Sequence, residues 1–93
     1  MSDLYTNPKS WGPHFWYMMR CVAHNYKDNP TRTDKKQVLR FYEDIGNILP
    51  CQKCVRHYKQ ATKKYPCENN VCCRDCLRDW VELIFEQVEL QKK

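Results

Sequence analysis

The chain has 93 residues, of which 42% are hydrophobic and 29% charged, with two glycines, seven cysteines and a net charge of +5. This length predicts one small domain, spanning residues 1–93, with a thin core. Few glycines argue against a turn-rich β protein, and a mild positive charge without runs of like charges argues against a nucleic-acid-binding protein. No apolar stretch is long enough to span a membrane, and the polar start of the chain has no signal-peptide core. We therefore expect an intracellular protein without membrane or nucleic-acid partners.

Apolar residues recur at helical spacing in four segments, which predict helices at roughly 10–26, 34–49, 51–64 and 73–91. Ser10 and Thr33 are the candidate N-caps of the first two helices, and Pro13 is tolerated in a first turn. Pro50 is expected to end the second helix and to start the third. No stretch alternates with period two over the length of a strand. The predicted fold class is an all-α four-helix bundle, with room for a short extra helix.

A C-x-x-C motif that follows a proline, formed by Cys51 and Cys54, coincides with the predicted start of the third helix. The unpaired N–H groups and the positive dipole end of a helix N-terminus stabilise a thiolate, and Lys53, Arg56 and His57 add positive potential. A disulfide that closes so short a loop stabilises a fold little. The pattern favours a redox-active pair, with metal binding and a structural bridge as alternatives.

A second cluster, "CENNVCCRDC", holds Cys67, Cys72, Cys73 and Cys76. Its last two cysteines repeat the C-x-x-C spacing at the predicted start of the fourth helix. Cys67 with Cys72 or Cys76 is a candidate bridge between the connector and that helix. We expect at least one bridge among the four, with the pairing left open, as it is for Cys21 in the first helix.

The two C-x-x-C pairs together read C-x2-C-x18-C-x2-C, which falls within the spacing of zinc sites with four cysteine ligands. The ligands of such a site would be Cys51, Cys54, Cys73 and Cys76. Zinc ribbons hold their cysteine pairs on glycine-rich turns, whereas both pairs here lie in helix-forming sequence without glycine. The zinc site therefore remains an alternative to the redox pair.

Aromatic residues make up 13% of the chain, which is high for a small bundle. One interpretation is that they form an ordinary core. The other is that Trp16 on the first helix and Trp80 on the last face the cysteine helix from two sides and stack on a planar cofactor. Composition leaves both interpretations open.

Four segments together resemble a known family, the Erv/ALR sulfhydryl oxidases. In chain order these are "WGPHFWYMMRCVAHNY", "LPCQKCVRHY", "KYP" and "DWVELIFEQVE". The resemblance covers residues 11 to about 90 and is strongest to the short versions carried by large DNA viruses, such as poxviruses and African swine fever virus. Its most specific parts are the tryptophan-bearing first helix, the C-x-x-C motif followed by His57 and Tyr58, and Trp80 at its proper distance.

The resemblance implies a dimeric four-helix bundle that binds FAD, oxidises protein thiols to disulfides and passes the electrons to oxygen, giving hydrogen peroxide. It implies that Cys51 is the outer sulfur, which exchanges with substrate thiols, and that Cys54 lies next to the flavin. The implied partners are protein thiols, a thioredoxin- or glutaredoxin-like carrier among them, and a second copy of the chain. For a viral member the implied location is the host cytoplasm or the virion.

The residues near the implied flavin depart from the family pattern at two places. Arg20 stands where the family has a histidine, and "FEQVE" replaces His-Asn-x-Val-Asn, of which only Val88 remains. An aromatic ring at position 85 can still stack, and Arg20 can still meet a phosphate or a ring edge. The residues implied to contact FAD are Gly12, Trp16, Arg20, Tyr26, His57, Trp80, Phe85, Glu86, Val88 and Glu89.

The alternative function is a bundle of the same fold without flavin, which acts as a thiol–disulfide carrier or as a zinc-stabilised binding module. The substituted "FEQVE" segment separates the two hypotheses, because an oxidase needs a last helix that holds the nucleotide.

Overall fold

The computed structural model describes residues 3–92, and within this range it contains helices and no strand. Helix α1 spans Asp3–Thr6, α2 Pro8–His24, α3 Arg32–Ile45, α4 Gln52–Lys64 and α5 Arg74–Gln91, and a 3-10 helix occupies Cys67–Asn70. The four predicted helices correspond to α2 to α5, so the all-α prediction is confirmed, and α1 and the 3-10 helix are additions. The predicted domain of residues 1–93 includes residues 1, 2 and 93, which lie outside the described part.

Both predicted N-caps were wrong. Asn7 caps α2, because its Oδ1 accepts a 3.0 Å hydrogen bond from the Lys9 N–H while Pro8 fills the first helical position. Thr31 caps α3 in a reciprocal capping box. Its hydroxyl accepts from the Asp34 N–H at 3.0 Å, and the Asp34 carboxylate accepts from the Thr31 N–H at 2.9 Å. A capping box that forms two hydrogen bonds stabilises the helix start more than an N-cap at Thr33, whose hydroxyl could satisfy one N–H group.

The prolines also differ from expectation. Because α2 begins at Pro8, Pro13 lies in its second turn and not in its first. Helix α3 ends at Ile45, and Pro50 lies outside both α3 and α4. The residue that caps α4 is Cys51, so the first cysteine of the motif lies at the helix boundary itself.

Two buried tyrosines connect three helices. The Tyr58 hydroxyl on α4 donates to the Tyr42 carbonyl on α3 at 2.6 Å, and the Tyr42 hydroxyl donates to the Met19 carbonyl on α2 at 2.8 Å. Burial raises the pKa of both phenols, so both remain protonated donors. Because an unpaired buried hydroxyl is costly, these bonds fix the depth and rotation of α4 and α3 against α2.

Helix α5 packs against α2 and α4 and supplies much of the apolar core. Its fully buried side chains include Leu77, Trp80, Val81 and Ile84. The Trp80 indole N–H donates to the Tyr65 carbonyl at 2.7 Å, which satisfies the one polar atom of that ring. None of the helices in residues 3–92 combines the length and apolarity needed to cross a membrane.

Gly46 permits the close approach of α3 to Tyr58, which yields a stability prediction. A Cβ atom built at Gly46 would clash with the Tyr58 ring, whereas one built at Gly12 would meet nothing within 4 Å. We expect Gly46→Ala to lower the free energy of unfolding by about 1–3 kcal/mol, because Tyr58 is held by its hydrogen bond and cannot yield. Denaturant unfolding of the variant and the wild type measures this change.

The control variant is Gly12→Ala, which adds the same methyl group inside a helix without a clash. It should leave stability unchanged or raise it by about 0.5–1 kcal/mol. Equal destabilisation by the two substitutions would show that the contact between Gly46 and Tyr58 does not constrain the fold.

Candidate active site

The cysteine pair lies where α4 begins. Cys51 is the N-cap in extended conformation, and its Sγ accepts a hydrogen bond from the Cys54 N–H at 3.2 Å. This sulfur therefore occupies the position that a serine or aspartate oxygen takes in an ordinary N-cap. Cys54 lies one turn further into the helix, and both cysteines are half-buried and unpaired. The sequence prediction of a pair at a helix N-terminus is confirmed.

The two thiols of the pair differ in acidity. Burial raises the pKa of Cys51, but hydrogen bonds from the Cys54 thiol and from the Cys54 and Lys53 N–H groups outweigh burial, so the pKa is lowered overall. Burial raises the pKa of Cys54 to about 11, and the adjacent Cys51 sulfur adds to the effect. The reduced pair therefore loses its first proton from Cys51, while Cys54 keeps its proton and donates it in a hydrogen bond to Cys51.

The pair opens into a cavity of about 710 Å³ between α2, α4 and α5. Many of its lining residues are spaced three or four apart along a helix, so they share one helix face. Helix α2 contributes Gly12, Trp16 and Arg20, and α4 contributes Lys53, Cys54 and His57. Helix α5 contributes Phe85 and Glu89, and its C-cap residue is Lys92. A volume in this range is typical of small-molecule and cofactor sites. Cys54 also borders a smaller cavity of about 40 Å³, together with Trp16, Tyr58 and Val88.

The cavity is positively charged. Four cationic side chains line it, Lys9, Arg20, Lys53 and Lys92, against the single carboxylate of Glu89. Lys92 Nζ lies 3.2 Å from Glu89 Oε1, so that carboxylate is paired. Burial lowers the pKa of His57, and the charges of Lys53, Arg56 and Lys92 lower it further, which keeps the imidazole neutral near pH 7. The lining therefore suits an anionic ligand.

Two aromatic rings also line the cavity. The Trp16 and Phe85 rings meet edge to face at 5.1 Å between centroids. The Arg20 guanidinium lies 4.8 Å above the Phe85 ring and forms two hydrogen bonds to Glu82, at 2.7 and 3.1 Å. Those hydrogen bonds lower the pKa of Glu82, so the pair is ionised. Arg20 is thus held by a carboxylate and a ring, whereas from the sequence we expected it to meet a phosphate or a ring edge.

Six of the ten residues predicted to contact a cofactor line the main cavity, and Val88 borders the smaller one. The six are Gly12, Trp16, Arg20, His57, Phe85 and Glu89.

The remaining three lie elsewhere, so the structure does not bring them to the cavity. Tyr26 is buried with its hydroxyl donating to the Val71 carbonyl at 2.7 Å. Trp80 is enclosed in the core against Tyr42, with ring centroids 5.2 Å apart. Glu86 is exposed, because one residue after Phe85 the helix has turned by about 100°. Trp80 and Trp16 therefore do not enclose one pocket from two sides.

Sequence reasoning missed several lining residues, among them the cations Lys9 and Lys92. Helical spacing from Gly12 and Glu89 could have identified both, since each lies three residues away on the same face. It also missed Trp11, whose indole N–H is buried without a hydrogen-bond partner and borders the smaller cavity.

The alternative zinc site with four cysteines is wrong for this structure. Among residues 3–92, three sulfurs lie within 4.8 Å of one another, those of Cys72, Cys73 and Cys76, and neither Cys51 nor Cys54 belongs to the group. The physical reason is that the two pairs cap two different helices, α4 and α5.

The second cluster repeats the local geometry of the first. Cys73 caps α5, and its Sγ accepts from the Cys76 N–H at 3.4 Å. Hydrogen bonds from Cys76 lower the pKa of Cys73, and hydrogen bonds to Cys72 and Cys73 raise that of Cys76 to about 12. We expected at least one bridge among Cys67, Cys72, Cys73 and Cys76, and the structure shows none: all seven cysteines are unpaired, and Cys67 is buried in the core.

The electrostatic environment of Cys51 yields a prediction for its reactivity. Lys53→Gln should move the pH midpoint of Cys51 alkylation upward, because the Lys53 charge lowers the pKa of Cys51. Below that midpoint the variant should react more slowly than the wild type, since less thiolate is present. The measurement is the alkylation rate of the Cys51 peptide in the reduced protein, followed by mass spectrometry across pH.

The matched control is Lys59→Gln, which removes an equal charge two turns further along α4. Its midpoint should stay close to that of the wild type. An unshifted midpoint in Lys53→Gln, or an equal shift in both variants, would contradict a local effect of Lys53 on Cys51.

Comparison with known proteins agrees with the geometry. The profile of the Erv1/Alr family matches residues 13–91. A protein of Invertebrate iridescent virus 3 that is assigned as an FAD-linked sulfhydryl oxidase is 35% identical over 51 residues, which are 55% of this chain and 34% of the relative. The FAD-linked sulfhydryl oxidase ERV1 of Arabidopsis thaliana is 27% identical over 71 residues, covering 73% of this chain and 37% of the relative.

A further relative, the mitochondrial FAD-linked sulfhydryl oxidase erv1 of Schizosaccharomyces pombe, is 26% identical over 70 residues, which are 75% of this chain and 38% of the relative. The chain thus spans about a third of the length of these curated relatives. No solved structure matches it at a comparable level of significance. Because the family profile covers nearly the whole chain, including the C-x-x-C helix and the helices that form the cavity, this protein belongs to the Erv1/Alr family.

Proposed function

We propose that this chain is an FAD-linked sulfhydryl oxidase, which makes disulfides in protein substrates and transfers the electrons to oxygen. The observation that carries the proposal is the opening of the Cys51 and Cys54 pair into an aromatic, positively charged cavity. Relatives named FAD-linked sulfhydryl oxidases support the same assignment. A zinc site at this pair is disfavoured, because no further ligand lies close to it among the described residues.

The residues around the cavity fit an FAD molecule. Trp16 and Phe85 offer ring surfaces to a planar isoalloxazine, and the cations Lys9 and Lys53 suit a pyrophosphate. The buried Trp11 N–H at the smaller cavity is a donor without a partner. Bound there, the flavin would take two electrons from the reduced cysteine pair and deliver them to oxygen.

The thiol chemistry belongs to the cysteines. In the oxidised pair, a substrate thiolate attacks Cys51 Sγ, the bond to Cys54 breaks, and Cys54 leaves and takes up a proton. A second substrate thiolate then attacks the substrate sulfur of this mixed disulfide and expels Cys51. The products are one substrate disulfide and a reduced pair that holds two electrons.

The helix N-terminus assists the second of these steps. A thiol with a low pKa is the better leaving group, and hydrogen bonds from the Cys54 and Lys53 N–H groups stabilise the departing Cys51 thiolate. Both cysteines line the main cavity, and Cys54, which keeps its proton, also borders the smaller cavity beside Trp16. The asymmetry of the pair therefore releases product at Cys51 and leaves Cys54 to face the cofactor. A thioredoxin- or glutaredoxin-like carrier remains our prediction for the protein substrate.

The decisive experiment combines a visible absorption spectrum with oxygen consumption. The purified wild-type protein should show flavin absorption and consume oxygen with a dithiol substrate. Cys54→Ser should keep the flavin absorption and lose at least about 100-fold in turnover, because the electron route ends at Cys51. Cys21→Ser, which changes a half-buried cysteine outside the cavity, serves as the control and should keep both properties.

The two readouts separate the parts of the proposal. A colourless wild-type protein would overturn the flavin assignment and favour a thiol–disulfide carrier without flavin. Flavin absorption with unchanged turnover in Cys54→Ser would instead overturn the role of Cys54.

We also propose that the chain forms a homodimer through an apolar face beside the cysteine helix. A groove of about 400 Å³ is lined by side chains of α1, α2, α3 and the segment before Cys51. Tyr5, Met18 and Ile48 on this groove are 74%, 54% and 73% exposed. Isolated domains seldom leave so many large apolar side chains in one groove, and a second copy would cover them.

Light scattering at micromolar concentration tests the dimer. The wild type should have twice the monomer mass, and Ile48→Lys should shift the mass toward that of the monomer, because a buried lysine charge is costly. Leu90→Lys is the control, since Leu90 is 58% exposed but does not line the groove. A monomeric wild type, or equal dissociation by both substitutions, would refute this interface.

A further inference from the structure

The three cysteines around the start of α5 form a cluster that the oxidase mechanism does not use. Cys72 Sγ and Cys73 Sγ each lie 3.1 Å from Cys76 Sγ, and all three sulfurs lie within 4.8 Å of one another. Cys72 is exposed and the other two are half-buried, so the cluster is accessible from solvent. None of the three lines the cavity next to Cys51 and Cys54.

We propose that Cys72, Cys73 and Cys76 form a binding site for a single thiophilic d¹⁰ metal ion, either Zn²⁺ or Cu⁺. The inference does not depend on the proposed oxidase activity, because it involves other residues on another helix.

The distances suit metal coordination. With Zn–S bonds of about 2.3 Å, two sulfurs of a tetrahedral site lie about 3.8 Å apart. The observed separations, from 3.1 Å to at most 4.8 Å, bracket that value, so small side-chain rotations bring all three sulfurs to one ion. A disulfide would use two of these sulfurs and leave the third as a thiol, whereas a metal ion uses all three.

The backbone on both sides of the cluster is held in place. Before it, the Val71 carbonyl accepts a 2.7 Å hydrogen bond from the buried Tyr26 hydroxyl. Within it, Arg74 donates to the Tyr26 carbonyl at 2.6 Å and pairs with Asp28 at 3.2 Å. The backbone before the cluster and the start of α5 are therefore both held in place. This preorganises the three sulfurs, as a metal site requires.

The ligand set indicates which ions fit. Three thiolates without a carboxylate or imidazole favour soft ions over Mg²⁺ or Ca²⁺. No fourth His, Cys, Asp or Glu ligand joins the group in residues 3–92. Zn²⁺ would complete its tetrahedron with a water molecule, whereas Cu⁺ is satisfied by the three sulfurs alone. Binding releases the thiol protons, so the affinity should rise with pH.

The test uses the full chain, reduced and kept free of oxygen. Zn²⁺ and Cu⁺ are each titrated against a chromophoric chelator, and Co²⁺ serves as the spectroscopic probe for tetrahedral thiolate coordination. We expect one equivalent of one of these ions to bind, with Co²⁺ giving thiolate charge-transfer bands. Cys72→Ser and Cys76→Ser should each weaken binding by at least about ten-fold, since loss of a ligand exceeds the usual cost of losing an outer-shell partner.

The matched control is the double variant Cys51→Ser/Cys54→Ser, which removes the other cysteine pair and should keep the bound ion. Cys72 is exposed, so Cys72→Ser tests the site even if Cys76→Ser does not fold, and circular dichroism checks both. The proposal is overturned if the wild type competes for neither ion, if Cys72→Ser binds as tightly as the wild type, or if the double variant loses the ion.

Discussion

The hydrogen bonds of two buried tyrosines set the geometry on which the rest of the molecule depends. Tyr58 reaches from α4 to a carbonyl of α3, and Tyr42 reaches from α3 to a carbonyl of α2. A buried hydroxyl without a partner is costly, and each tyrosine reaches its carbonyl acceptor at only one rotation of its helix. These bonds therefore fix the orientation of α4 toward α2. That orientation turns the Cys54 side of α4 toward Trp16, and Gly46 leaves the space that Tyr58 needs.

A cysteine pair at a helix N-cap occurs twice in the described residues, with different surroundings. Cys51 and Cys73 both cap a helix, and hydrogen bonds from the thiol and the backbone N–H of the cysteine three residues on lower the pKa of each. At α4 the pair meets a large cavity with aromatic walls. At α5 a third sulfur, that of Cys72, joins the pair instead. The first environment suits electron transfer to a planar cofactor, and the second suits coordination of an ion by three sulfurs.

The glutamates of the "FEQVE" segment do not make the cavity negatively charged. The sequence places two glutamates in "FEQVE", but Glu86 points into solvent and Glu89 is paired with Lys92. Arg20 does not stand free in the cavity, because it bonds to Glu82 and lies over the Phe85 ring, which in turn contacts Trp16. Lys92 and Glu89 offset each other, so Lys9 and Lys53 carry the positive potential that an anionic ligand requires.

The sequence by itself determined the helical class, the approximate helix positions and the place of one cysteine pair at a helix N-terminus, because helical spacing and the spacing of a motif are local properties. It misassigned the caps at Ser10 and Thr33, where Asn7 and the reciprocal pair of Thr31 and Asp34 bind better. Only the tertiary structure decided that Trp80 lies in the core while Trp16 lines the cavity, and that the two C-x-x-C pairs do not share one metal. Those outcomes depend on how helices distant in sequence are rotated against one another. Buried hydrogen bonds and close contacts between the helices set that rotation, and the periodic pattern of apolar residues does not encode them.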